Sequence, residues 1–229
     1  MSTKVKICGL TNADTALVAT RYGADYLGFI HYQASPRHIS LDAADTLGAE
    51  ISAQMDTFKI APSARPQRVA VMVNPSLKDV LRFSKAVGAH IVQLHGSESA
   101  EFVRTVKAET GLKITKSVSI ESAEDLKRSD DYLGLVDMFL FDAKPLAHHT
   151  LPGGNAHAFH WPVMRSWPYR KSHPWMLAGG LNPDNVSEAI RASSAPAVDV
   201  SSGVESSSGQ KSDGLVARFI STAKSHTEY

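Results

Sequence analysis

The chain has 229 residues, 43% hydrophobic and 21% charged, with a formal net charge of +1. This is ordinary globular composition, and the near-zero charge argues against nucleic acid or an anionic membrane surface as the main partner. The single cysteine excludes an intrachain disulfide framework and fits a reducing compartment. The opening Met-Ser-Thr-Lys-Val-Lys-Ile runs straight into a strand pattern with no signal-peptide core, and no apolar run is long enough to span a bilayer, so a cytoplasmic location is expected.

Short runs rich in Val, Ile, Leu and Phe alternate with amphipathic stretches. A strand at 5–7 precedes a helix at 13–22, 25–29 precedes 41–53, 69–72 precedes 77–87, and 90–94 precedes 100–107. A strand at 113–116 precedes a helix at 123–131, and 138–141 leads through a long loop to 159–167. The last two pairs are 175–178 with 186–191 and 197–200 with 215–223. Asn12, Ser76 and Ser97 stand where helix N-caps belong, and Asn182-Pro183 places a proline at a first helical position. The tags Tyr22-Gly23-Ala24-Asp25 and Val87-Gly88-Ala89-His90 mark equivalent helix-to-strand turns. Two stretches break the rhythm: 57–67, read as a surface insertion, and 146–157, a long loop holding His148, His149, Gly153 and Gly154.

Strands that are apolar throughout are buried on both faces, which implies a parallel sheet built from right-handed βαβ units. Eight such units predict an α/β fold, a single (β/α)8 or TIM barrel, with residues 1–229 forming one domain. An open doubly wound sheet is the competitor, but the glycine-rich first turn of a dinucleotide fold is missing.

A barrel of this kind carries its chemistry at the C-terminal ends of the strands. The polar residues there are Cys8; His31, Ser35 and Arg37; Asn74; Gln93 and His95; Ser117; Asp142 and Lys144; Gly179 and Gly180; and Ser201, Ser202 and Gly203. They are expected to converge on one mouth. Cys8 reads either as a reactive thiol or as a small buried hydrophobe. The turns at 178–182 and 200–205 follow the last two strands, where the fold recurrently binds phosphate; the alternative is two tight turns needing positive φ. Arg37, in Ser35-Pro36-Arg37, suits a bidentate clamp on a carboxylate, or is a solvated loop arginine. Asp142 closes an apolar run, where burial disfavours a charged carboxylate and favours a general acid; the alternative is an ion pair with Lys144. His148, His149, His157 and His160 lack a zinc-site spacing, and Trp161, Trp167 and Trp175 read as packing residues.

Six segments in this order resemble the phosphoribosylanthranilate isomerase family of tryptophan biosynthesis. They are Lys6-Ile7-Cys8-Gly9-Leu10-Thr11, Ser35-Pro36-Arg37, Val92-Gln93-Leu94-His95-Gly96, Phe141-Asp142-Ala143-Lys144, Leu177-Ala178-Gly179-Gly180-Leu181, and the run from Val198 to Glu205 that holds Asp199-Val200-Ser201-Ser202-Gly203. The resemblance implies an Amadori rearrangement of N-(5-phospho-β-D-ribosyl)anthranilate, with Asp142 as general acid and Cys8 as general base, best as a thiolate of lowered pKa. It implies Arg37 on the anthranilate carboxylate, Gln93, His95 and Asp199 on the substrate, and Gly154, Gly179, Gly180, Ser202 and Gly203 on the phosphate. No metal or organic cofactor is implied, because the substrate nitrogen is the electron sink. The partner is a small-molecule substrate, and a monomer is expected over a homodimer. One loop departs from the family pattern: Gly153-Gly154-Asn155-Ala156, then Phe159-His160-Trp161, stands in place of Gly-Gly-x-Gly and Phe-Asp-Trp.

Other sugar-phosphate barrels fit less well. His31-Tyr32-Gln33 lacks the carboxylate of an epimerase His-x-Asp metal site. Asp142-Ala143-Lys144 is not followed by the second aspartate of an Asp-x-Lys-x-x-Asp decarboxylase motif. A non-catalytic phosphate-ligand binder on the same scaffold is the third reading.

Overall fold

Runs of β-branched, aliphatic and aromatic residues, buried on both faces, become the eight strands of a closed parallel barrel. The computed structural model describes residues 2–143 and 160–225. The strands are β1 (Lys4–Cys8), β2 (Tyr26–His31), β3 (Gln67–Met72), β4 (Ile91–Leu94), β5 (Lys113–Ile120), β6 (Met138–Ala143), β7 (Trp175–Leu177) and β8 (Ala197–Val200). They follow sequence order around the barrel, and β1 closes on β8 with Lys6 opposite Asp199. The connecting helices are α1 (Ala13–Arg21), α2 (Leu41–Thr57), α3 (Leu77–Ala86), α4 (Ala100–Thr110), α5 (Val186–Ser193) and α6 (Asp213–Lys224). The predicted (β/α)8 architecture is therefore present, and the open sheet is excluded by closure.

The two-residue strand period sorts the core into two layers. Cys8, Tyr26, Val71, Ile91, Leu140 and Met176 form one cluster inside the barrel. Ile7, Leu27, Phe29, Val92, Phe141 and Val198, from alternate positions, pack outward against the helices. Lys6, Gln93, Asp142 and Asp199 have the parity of the inner set, so polar groups share the lumen with apolar ones.

Several details differ from the sequence expectation. The segments predicted as fifth and sixth helices are 3-10 turns, at Ala123–Tyr132 and Trp161–Ser166. In the first, the buried residues are Leu126 and Ser129, three apart, the repeat of a three-residue turn. The second starts at Trp161-Pro162 and is too short for α-helical pairing to pay back its nucleation. The N-cap of α4 is Ser99, not Ser97: Ser99 Oγ accepts the Phe102 N–H, while the Ser97 N–H is taken by Asn74 Oδ1. Pro183 lies in a turn before α5 rather than in its first position, because Asn182 Oδ1 accepts the N–H groups of Asp184 and Asn185. Asn12 and Ser76 cap α1 and α3 as expected. Trp167 and Trp175 pack with Phe139 and Phe141 in edge-on contacts, and Trp167 Nε1 donates to Ser129 Oγ at 2.9 Å. A short hairpin, β9 (Glu205–Ser207) with β10 (Gln210–Lys211), follows β8 and was not anticipated.

Gly48 is the point where α2 meets the end of α3. A Cβ there would overlap the carbonyl oxygen of Ala86, and the Gly48 carbonyl itself accepts from the buried Arg68 guanidinium on β3 at 2.9 Å. Gly48→Ala is therefore expected to destabilise the fold by about 2 kcal/mol through overpacking against backbone. An unhindered helical glycine would instead gain up to about 1 kcal/mol on the same change. Urea unfolding of the variant gives the sign, and a raised midpoint would refute this packing account.

Candidate active site

The mouth is built where inward-facing positions reach the C-terminal strand ends. Cys8 ends β1 and is 5% exposed. Asp142 sits near the end of β6 and is 6% exposed. Its Oδ2 lies 3.3 Å from His95 Nε2, and His95 Nδ1 lies 2.8 Å from Gln93 Nε2. Gln93, His95 and Asp142 thus form a line across β4 and β6 inside the lumen. The partner of Asp142 among the described residues is His95; Lys144, the sequence alternative, lies outside them.

On the other side, Lys6 Nζ donates to Asp199 Oδ1 at 3.0 Å, with both side chains almost fully buried. Burial opposes the Lys6 ammonium, but Asp199 and the Cys8 thiol outweigh it and hold Lys6 above the ordinary lysine range. For Cys8 the balance runs the other way. Burial pushes the thiol up, Asp199 adds to this, and the attraction of Lys6 and Lys211 only partly offsets it. A general base works best as a thiolate of lowered pKa, and this lumen pushes the other way, because a thiolate here loses more hydration than the two ammonium groups return.

Arg37 crosses the strand end beside Cys8. The crossing requires Gly9, whose φ is +73° and whose absent Cβ would fall 2.6 Å from Arg37 Cδ. The guanidinium is not solvated. Its Nε and Nη2 donate to Glu205 Oε1 and Oε2 at 2.6 and 2.7 Å, a two-bond fork. Lys211 Nζ donates to the same carboxylate at 2.7 Å and to the Ser201 carbonyl at 2.9 Å. The β9–β10 hairpin therefore fastens Arg37 over the mouth. The Nε–Nη2 edge of the guanidinium is thereby occupied by Glu205.

The two glycine turns lie side by side. Gly179 has φ +88°, and a Cβ there would stand 2.5 Å from the Ala143 backbone nitrogen and 3.0 Å from Asp142 Oδ1. Gly180 also takes positive φ. Gly203 does not; its requirement is space, since a Cβ would overlap the Leu181 carbonyl oxygen. The turn after β8 thus nests on the turn after β7, and Ser202 opens a single 3-10 turn, Ser202–Val204. Gly154, the fifth phosphate candidate, lies outside the described residues.

Two of the polar residues expected at the mouth serve elsewhere. His31 faces outward, with Nδ1 2.8 Å from the Ile39 carbonyl and its ring stacked on Phe83. Asn74 binds the Ser97 N–H and braces the loop after β4.

The whole chain finds close relatives. Residues 5–222 match the family model described as N-(5'phosphoribosyl)anthranilate (PRA) isomerase. The chain belongs to this family. It is 40% identical over 224 residues to the N-(5'-phosphoribosyl)anthranilate isomerase of Rhodopseudomonas palustris (strain TIE-1), covering 98% of this chain and 99% of the relative. Identity to the enzyme of the same name from Paramagnetospirillum magneticum is 41% over 226 residues, with 98% of each chain covered. The phosphoribosyl anthranilate isomerase structure from Thermotoga maritima superposes with a TM-score of 0.81 at 34% identity, over 98% of this chain and 100% of that one. A second isomerase structure, in complex with reduced 1-(o-carboxyphenylamino)-1-deoxyribulose 5-phosphate, matches with a TM-score of 0.79 at 32% identity, over 98% and 100% of the two chains. This protein is accordingly an isomerase.

Within this isomerase fold, three charged residues at the mouth were missed as functional candidates: Lys6, Glu205 and Lys211. Lys6 was readable in principle, because Lys4-Val5-Lys6-Ile7-Cys8 alternates with period two and places Lys6 on the face of Cys8. Glu205 and Lys211 depended on recognising the hairpin, whose cue is Gly209 between two short extended runs.

Arg37 and Lys211 hold the Glu205 carboxyl down to about 2, against an ordinary value of 4.5, although burial opposes this. Its stabilising contribution is complete above pH 4.5 and is lost as pH falls towards 2. Glu205→Gln strands two buried cations and is expected to cost about 3 kcal/mol at neutral pH. Urea unfolding across that acid window should show a flatter pH dependence for the variant than for the parent protein.

Proposed function

We propose that the chain catalyses the Amadori rearrangement of N-(5-phospho-β-D-ribosyl)anthranilate to 1-(2-carboxyphenylamino)-1-deoxy-D-ribulose 5-phosphate, in tryptophan biosynthesis, with Asp142 as general acid and Cys8 as general base. The observation that carries this reading is the pair of nearly buried proton-transfer groups, Cys8 on β1 and Asp142 on β6, at one barrel mouth. The liganded relative, which holds a reduced form of the product, supports the substrate class.

Asp142 gives a proton to the furanose ring oxygen as the C1′–O bond breaks, and the anthranilate nitrogen lone pair forms the C1′=N iminium. Cys8, as thiolate, takes the C2′ proton; that C–H electron pair becomes the C1′=C2′ bond and neutralises the iminium, giving an enolamine. Tautomerisation yields the ketone. His95 steadies Asp142, and Gln93 orients His95 through their 2.8 Å contact. Arg37 receives the anthranilate carboxylate, and Asp199 orders the site through Lys6. The turns bearing Gly179, Gly180, Ser202 and Gly203, with Gly154, receive the phosphate, since close backbone approach suits an anion. The same reading takes residues 1–229 as one catalytic domain and the protein as a cytoplasmic monomer.

The test follows the loss of substrate fluorescence on freshly generated phosphoribosylanthranilate. Cys8→Ala and Asp142→Asn should each lower kcat by roughly a thousandfold or more while still binding a reduced product analogue. No turnover by folded parent protein would reject the isomerase assignment, and binding without turnover would favour the non-catalytic binder. Light scattering is expected to give the mass of a single chain, and a doubled mass would overturn the monomer.

A further inference from the structure

The base assignment leaves one problem. A thiol at a 5% exposed position is pushed by burial towards its neutral, unreactive form. The charged groups facing Cys8 are Lys6 on its own strand, Asp199 on β8, Lys211 on β10 and Arg37 on the loop after β2. Arg37 and Lys211 are both tied to Glu205. Lys6 differs from them. Its head group is tied to Asp199, and its arm runs beside the Cys8 thiol, both bordering the space over Gly28.

Strand geometry sets up that approach. Lys6 and Cys8 are two residues apart on β1, so both project into the lumen. Across the seam with β2, Cys8 is opposite Gly28. A Cβ at Gly28 would stand 2.9 Å from Cys8 Sγ and 3.1 Å from Lys6 Cε. The missing side chain at Gly28 is therefore the space in which the lysine arm reaches the thiol. On the other seam, Asp199 is opposite Lys6 and holds its head group. The cation is held by Asp199, needs little reorganisation when the thiol ionises, and lies buried, where its field is strong.

We propose that Lys6, held by Asp199 in the space left open by Gly28, is the positioning cation that sustains the Cys8 thiolate during proton abstraction. This rests on the reading of Cys8 as the general base. Asp199 then acts through Lys6: it keeps the ammonium charged and aimed, at the expense of some repulsion on the thiolate.

The experiment reads the thiol directly. Cys8 is the only cysteine, so thiolate absorbance near ~240 nm, with Cys8→Ala as the blank, reports this one group. In Lys6→Met the thiol is expected to titrate about 1 pH unit or more above the parent protein, a tenfold or greater loss of thiolate at a given pH. The acid limb of kcat should move up by the same interval and KM should change little, so that activity recovers as pH is raised. Should the unpaired Asp199 prevent Lys6→Met from folding, the double variant Lys6→Met/Asp199→Asn leaves no stranded charge and is compared with Asp199→Asn alone. A thiol titration unmoved by loss of Lys6 in either comparison overturns the proposal. A titration that moves while the kcat profile stays put upholds Lys6 as the thiol's electrostatic partner and instead rejects Cys8 as the base.

Discussion

The ion pair between Lys6 and Asp199 lies at the seam where the first and last strands of the barrel meet, joining residues 193 positions apart. Two charges with almost no solvent contact are expensive to bury, and a well-packed apolar pair would close the seam as well or better. Its place in the lumen directly below the thiol supplies a reason for the pair. Closure of the barrel brings charge to the reactive end: the register of β1 with β8 puts Lys6 opposite Asp199, while its register with β2 puts Cys8 opposite Gly28.

The charged groups around the mouth follow one plan. Each of these cations is held by a carboxylate: Lys6 by Asp199, Arg37 and Lys211 by Glu205. A third pair, Lys116 with Glu98, lies behind the loop that carries His95; the Glu98 carboxylate accepts from the Asn74 and Gly96 N–H groups, and Lys116 donates to the Gly96 carbonyl. These pairs neutralise most of the charge locally while fixing where the positive ends point.

Glycine makes the convergence possible by absence of side chain. Gly9 lets Arg37 cross a strand end, Gly28 gives the lysine arm its path, and Gly203 lets one loop nest on the next. Gly209 does the same for the hairpin, where a Cβ would lie 2.8 Å from the Pro36 carbonyl oxygen. The hairpin and the Ser35-Pro36-Arg37 turn are thus packed backbone to backbone, and the clamp on Arg37 inherits that rigidity.

Much was legible in the chain read alone. Strand and helix order followed from apolar runs alternating with amphipathic ones, because burial on both faces leaves its mark in local composition. The candidates Cys8, Arg37, Asp142, Gly179, Gly180 and Gly203 followed from their position just past those runs. The 3-10 character of two connections did not, since the same polar residues suit either helix and only the packing against Leu126, Ser129 and Trp167 selects the tighter turn. Nor did the outward turn of His31, the fork of Arg37 on Glu205 or the pairing of Asp142 with His95. By itself the sequence determined the barrel and which residues stand at its strand ends, because local periodicity and strand-end position are local properties. Which charge meets which was decided only by the tertiary structure, because each pair joins residues brought together by strand register and loop packing rather than by proximity along the chain.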